Sequence, residues 1–200
     1  MHTISYKKEI LRKLIHLSSL WMPVAIYVLP WAVSIALFAT LMTFMIIYEN
    51  FKTVRTGFIG KLNACLAPIM RSHEQGRFQL TGATYMVFAA LICCVIFPKL
   101  ITVTALCIML ICDTAASLVG RLFSKNKLFG KSLEGLFAFI STGLFVILCL
   151  SWVNTSFPRF NAGMVAVIIA ALVELISAKI RLDDNLSVTL TAATVLWLMH

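Results

Sequence analysis

The sequence predicts an all-α fold, a polytopic bundle of about seven transmembrane helices with its N-terminus in the cytoplasm. Three observations predict it. Of 200 residues, 60% are hydrophobic and 12% charged, where a soluble domain carries about 25% charge; mean hydropathy is +0.95. Apolar stretches recur at close to the roughly 20 residues that cross a bilayer as a helix. The 17 Lys and Arg residues gather on alternate connections between those stretches, the bias that marks a cytoplasmic side.

The length fits one domain, residues 1–200. Residues 1–13 form a polar, amphipathic, cytoplasmic start. The apolar stretch that follows has no small-residue cleavage site and reads as a retained helix. Spans are expected at 14–30, 31–48, 81–97, 100–119, 134–153, 162–180 and 186–199. Pro23 should kink the first, and the tight Pro30-Trp31 connection should set the first two antiparallel. The cytoplasmic loops are then 49–80, 120–133 and 181–185, and only Lys99 and Arg159 mark the far side. The membrane is the inner membrane of a bacterium, or the endoplasmic reticulum in a eukaryote. No nucleic-acid partner is expected, and the chain could act as a monomer or a homodimer.

The six cysteines form no CxxC pair and most sit in apolar stretches. They read as packing residues rather than a disulfide framework or a zinc site.

All eight acids fall on or near the cytoplasmic face. The positive-inside bias does not demand this, so clustering of both signs points to a site for a charged ligand. Asp113 and Glu174 lie inside apolar stretches. An ionised carboxylate there costs about 2.5 kcal/mol or more, and is kept when paired, facing water or binding a cation. A structural hydrogen bond between helices is the plainer alternative. Asp113, Ala116, Ser117 and Gly120 share one helical stripe, whose small residues admit a close neighbour, whether helix or ligand.

Gly130-Lys-Ser132 superficially resembles a P-loop, but that pattern needs glycine where Lys125 stands, and a preceding strand. A local phosphate site remains: Gly130 permits close approach, Ser132 can cap the next helix, and Lys131 supplies a charge. Glu134 in the first turn fits the helix dipole and suits a divalent cation. Glu9, Arg12, Lys13 and His16 share a helix face, either as a solvated anchor or as part of the site. Arg71 and Glu74 are spaced to pair, and Thr84 either serves the site or bonds a backbone carbonyl. Asp183-Asp184-Asn185 suits a divalent cation or a helix cap.

Together these pieces resemble the CTP-dependent polyprenol and lipid kinases, the family of dolichol kinase, phytol kinase and CTP-dependent diacylglycerol kinase. The matching residues are Glu9-x-x-Arg12-Lys13-x-x-His16, Gly82-Ala-Thr84, Asp113-Thr-Ala-Ala-x-x-Gly120, Gly130-Lys131-Ser132-x-Glu134-Gly135, Glu174 and Asp183-Asp184-Asn185. They follow the family's order over nearly the whole chain. Cys112 stands where the family usually has glycine. The resemblance implies transfer of a phosphoryl group from CTP to a lipid alcohol, with Mg²⁺ as cofactor. Asp113, Glu134, Asp183 and Asp184 would hold the metal. Lys131, Arg12, Lys13, His16, Arg121, Gly120, Gly130 and Ser132 would lie around the nucleotide phosphates. Glu174 or Asp113 would accept the hydroxyl proton. Phosphatidate cytidylyltransferases share part of the pattern but end in a different C-terminal block. A small transporter is the reading from another class; against it, the polar residues do not line the full membrane thickness.

Overall fold

A computed structural model describes residues 6–66, 70, 76, 79–123, 125, 127–153, 160–180 and 182–199. Almost all of this is helix, as the apolar composition requires where backbone groups have no water to bond. The chain opens with α1 (Tyr6–Ser18) and the eight-residue α2 (Trp21–Val28). A helix of 21 residues, α3 (Trp31–Phe51), starts at Pro30, and α4 (Gly57–Leu66) follows. Next come α5 (Gly82–Ile96), α6 (Lys99–Cys107), a π-helical turn over Ile108–Cys112, and α7 (Asp113–Phe123). The two-residue strands β1 (Lys127–Leu128) and β2 (Lys131–Ser132) pair antiparallel. The long α8 (Leu133–Val153) and α9 (Phe160–Ile180), then α10 (Asp184–Leu198), complete the chain.

The α6, π-turn and α7 segments run on as one helix, Lys99–Phe123, of 25 residues, roughly 37 Å long. It is the pillar of the bundle. Its sides pack against α2, α5, α8 and α10; α9 lies between α8 and α10, and α3 stands outside on α5. Leu106, Ile108, Met109, Leu110 and Phe139 are wholly buried around it.

Four helices are long and apolar enough to cross a membrane: Trp31–Phe51, Lys99–Phe123, Leu133–Val153 and Phe160–Ser177, counted among the described residues. This corrects the expectation of seven. The stretch 14–30 is not one span, because α1 ends at Ser18. The Ser18 hydroxyl donates back to the Ile15 carbonyl at 2.7 Å, a serine bond that competes with helix continuation. The α2 that follows is only about 12 Å long. Pro23 produces no kink, since it lies in the first turn of α2, where no intrahelical N–H is needed. The stretches 81–97 and 186–199 form α5 and α10, each of 15 residues, or about 22 Å.

Lys99 begins the pillar at the end far from Arg121. Its Nζ donates to the Leu29 carbonyl at 2.7 Å and so satisfies a group left open at the end of α2. Cys93, Cys94, Cys107, Cys112 and Cys149 are free thiols.

Candidate functional site

The π turn ends at Asp113, which is 4% exposed. Such turns inside α-helices recur at functional positions. One face of α1 lies along α7 and supplies the partners. Lys13 forms an ion pair with Asp113, and His16 Nε2 lies 3.5 Å from Asp113 Oδ2. One turn earlier on α1, Glu9 is 1% exposed and pairs with Arg12. Glu9 also takes 2.8 Å from Arg121 and a 3.0 Å hydrogen bond from the Ser117 hydroxyl. Asp113, Ser117 and Arg121 are spaced four apart and therefore form one stripe of α7. The polar residues at the N-terminus thus dock a helix; they are not a solvated anchor.

Burial works against ionising Glu9, but the Arg12 and Arg121 guanidiniums and the Ser117 hydroxyl outweigh it. They hold its carboxyl below the ordinary value of 4.5. A carboxyl with a depressed folded value stabilises the fold above its unfolded value and loses that contribution as pH falls through the folded one. Glu9→Gln should therefore cost about 1–3 kcal/mol at pH 7, a drop of a few degrees in Tm. The gap between variant and parent should narrow as the pH falls below 4.5, measured by thermal unfolding in detergent. A gap independent of pH would remove the carboxylate from the account.

The second half of the site comes from the hairpin. Phe129 and Gly130 have φ of 52° and 90°, the two positive values that a tight two-residue hairpin turn needs. Gly130 is thus there for the turn; it is exposed, and a Cβ on it would meet open space. The Lys179 ammonium lies 5.0 Å over the Phe129 ring and holds the tip against α9. The turn directs Lys131 inward to an ion pair with Glu174 on α9, and to 3.6 Å from Asp184 Oδ2 on α10. Burial opposes its charge, yet Asp184 and Glu174 raise Lys131 above its ordinary value of 10.5, so it is cationic at neutral pH. Ser132 caps α8, accepting from the Gly135 N–H at 3.0 Å.

Oxygen atoms of Asp113, Glu174 and Asp184 lie within 4.8 Å of one another. Three helices thus bring three carboxylates together, with Lys13 on one side and Lys131 on the other. Glu134 and Asp183, expected as metal ligands beside Asp113, stand outside this trio. Glu134 Oε1 accepts from the Lys125 N–H at 3.2 Å and braces the basic loop. Asp183 caps α10 through the Asn185 N–H at 2.9 Å. Asn185 ties α10 to α5 by donating to the Gly82 carbonyl at 3.2 Å. Gly120 lies where α7 crosses α8, against Gly135 and the Ser132 hydroxyl. Arg71 and Glu74 lie outside the described residues.

Sequence reasoning passed over Glu49 as a site in its own right. Its Oε1 accepts from the Thr81 N–H at 2.7 Å and from the Thr84 hydroxyl at 2.5 Å. Lys52 lies 2.6 Å from the other oxygen. Thr84 therefore serves a carboxylate that joins the end of α3 to the start of α5. The signal was present as Glu49 and Lys52 three apart at the end of an apolar stretch.

Among the described residues, fold and site define a helical protein with four membrane-length apolar helices and a cluster of charge around Asp113 of its pillar. Among known proteins, the chain is 28% identical to an uncharacterized protein of Rickettsia prowazekii over 197 residues, 96% of this chain and 94% of the relative. It is 28% identical to an uncharacterized protein of Methanocaldococcus jannaschii over 138 residues, 68% of this chain and 63% of that one. No family model matches the chain. No solved structure matches it.

Proposed function

We propose that the protein is a membrane-embedded kinase that moves a phosphoryl group from CTP to the hydroxyl of a lipid alcohol at the cytoplasmic face. A polyprenol, a phytol-like alcohol and diacylglycerol all fit that class. The observation that carries the reading is the convergence of Lys13, Asp113, Lys131, Glu174 and Asp184 from five separate elements at one end of an apolar bundle. Charge is costly beside hydrocarbon, and a fold needing only solubility would leave these groups apart. The basic bias of the connections supports a cytoplasmic place for that end. Between Lys99 and Asp113 the pillar carries no Asp, Glu, Lys or Arg, and the Thr102 and Thr104 hydroxyls are spent on the Cys93 and Leu100 carbonyls, which does not favour an ion path.

The residues present fit a divalent cation: carboxylate oxygens are what hard cations prefer, and those of Asp113, Glu174 and Asp184 lie within 4.8 Å of one another. Asp113, Glu174 and Asp184 would hold Mg²⁺, which supplies charge neutralisation on phosphate oxygens when bound. Phosphoryl transfer otherwise asks for positioning and electrostatics. Lys131 and Lys13 face the same carboxylates and serve as the cationic partners of the nucleotide phosphates, with Arg121 behind them. The alcohol oxygen forms the new P–O bond, CDP leaves, and the hydroxyl proton passes to Asp113 or Glu174.

The test is transfer of label from CTP to lipid alcohols by the purified protein. Label from the γ position should appear in the lipid, and label from the α position should not. Label from the α position in the lipid would make the protein a cytidylyltransferase; no transfer from either would end the reading. Lys131→Met should lower kcat/KM for CTP about 100-fold, equivalent to about 2.7 kcal/mol of transition-state binding. An unchanged kcat/KM would remove Lys131 from the phosphate site.

A further inference from the structure

A cavity of about 240 Å³ opens beside the carboxylate cluster and is lined in part by His16, whose Nε2 lies 3.5 Å from Asp113 Oδ2. Its lining is mixed, with the polar side chains of Arg12, His16, Tyr48 and Asn185 and the apolar ones of Met70 and Met86. Two side-chain atoms of that lining are buried without a hydrogen-bond partner: Arg12 Nε and Tyr48 Oη. Buried polar groups are nearly always satisfied, and an orphan calls for an explanation. Two orphans on one cavity share one explanation, a polar ligand atom that both can reach. Ile15 and Ala83 line the same cavity yet remain exposed, so it opens outward between α1 and α5. Its volume is below the roughly 300–1,000 Å³ of sites that enclose a whole ligand, and too small for a nucleoside triphosphate. It suits a small polar head whose apolar body stays outside.

We propose that this cavity receives the hydroxyl end of the lipid alcohol, with Tyr48, Arg12 and His16 as its hydrogen-bonding partners and Met70 and Met86 against its first carbons. The inference rests on the kinase reading for the identity of the acceptor, and adds where the acceptor lies and which residues select it. The hydroxyl then sits next to His16, whose Nε2 is 3.5 Å from Asp113 Oδ2. Arg12 and His16, expected among the phosphate contacts, here serve the alcohol instead. Tyr48, at the end of α3, had no assigned part.

The probe is farnesol carrying a diazirine near its hydroxyl, photolysed with the full-length protein in detergent micelles without nucleotide. Crosslinks should map to Met70, Met86 or Tyr48 and be competed by unlabelled farnesol. Ala83→Phe, a change at an exposed position, fills the mouth and should abolish them. Tyr48→Phe removes a hydroxyl that holds nothing in the fold. It should weaken competition by farnesol about tenfold and leave Tm unchanged or raised. Crosslinks that map elsewhere, or that persist in Ala83→Phe, overturn the proposal; so does a Tyr48→Phe variant with lowered Tm and unaltered binding. The readout needs no turnover, so crosslinking in the cavity without transfer from CTP would refute the kinase reading and leave the lipid site standing.

Discussion

Asp113→Asn should lower phosphoryl transfer at least 10³-fold, about 4 kcal/mol of transition-state stabilisation, and should also destabilise the fold. The two effects have different origins and can be separated. Asp113 is the partner of Lys13, and both side chains are nearly inaccessible, at 6% and 3% exposed. Removing one member of a buried pair leaves an uncompensated charge and costs roughly 3–5 kcal/mol. The single variant should therefore melt well below the parent. Lys13→Met combined with Asp113→Asn removes both charges and should recover most of the lost stability, because replacing a whole buried pair is often close to neutral. It should recover none of the activity if the carboxylate serves phosphoryl transfer. Thermal unfolding and turnover on the four members of this cycle decide the matter. Recovery of turnover in the double variant would reduce Asp113 to a structural anchor for α1, and an Asp113→Asn protein with parental turnover would exclude it from the chemistry.

The sequence made some of this arrangement legible and hid the rest for physical reasons. The helical class is written in the apolar stretches, since hydrocarbon-facing backbone has few other ways to satisfy its hydrogen bonds. Asp113 stood out because an acid among Ile, Leu and Cys is expensive. Contacts at helical spacing were also readable: Glu9, Lys13 and His16 on one helix, Asp113 and Ser117 on another, though Arg121, a turn further on, was not read with them. Which stripe met which was not readable, since pairs about 100 residues apart depend on packing. For the same reason Asp113 was expected beside Glu134, Asp183 and Asp184, and it lies beside Asp184 together with Glu174. The number of spans was overcounted because composition does not show where a helix stops. Ser18 ends α1 without a proline or glycine, and α5 and α10 are apolar but short. The turn at Phe129-Gly130 was hidden by an aromatic residue in a left-handed conformation, which sequence statistics favour for Asn, Asp or Gly. Gly130 was accordingly read for phosphate approach.

Gly135→Ala should be among the most destabilising small changes in the protein, and no neighbouring substitution should rescue it. A Cβ on Gly135 would come within 2.8 Å of the Ala116 carbonyl oxygen and 3.0 Å of the Ser132 hydroxyl. The first of these is backbone, so it can yield only if α7 and α8 move apart. The same crossing is tight from the other side, where a Cβ on Gly120 would meet the Ser132 hydroxyl and lie 3.5 Å from Gly135 Cα. The expected cost is about 1–3 kcal/mol, the usual range for overpacking, with a second effect on function. Separating α7 from α8 shifts Asp113 at one end of α7 and weakens the Ser132 cap that follows Lys131, so the lysine and the carboxylate should lose register together. Gly143 provides the contrast. A Cβ there would clash with side-chain atoms of Val167, at 2.5 and 2.8 Å, which Val167→Ala removes. Gly143→Ala with Val167→Ala should thus regain much of the Tm lost by Gly143→Ala alone. Gly135→Ala with Ser132→Ala should regain nothing and lose the cap besides. Rescue of Gly135→Ala by Ser132→Ala would show that the hydroxyl, and not the α7 backbone, sets the distance between the two helices that carry the site.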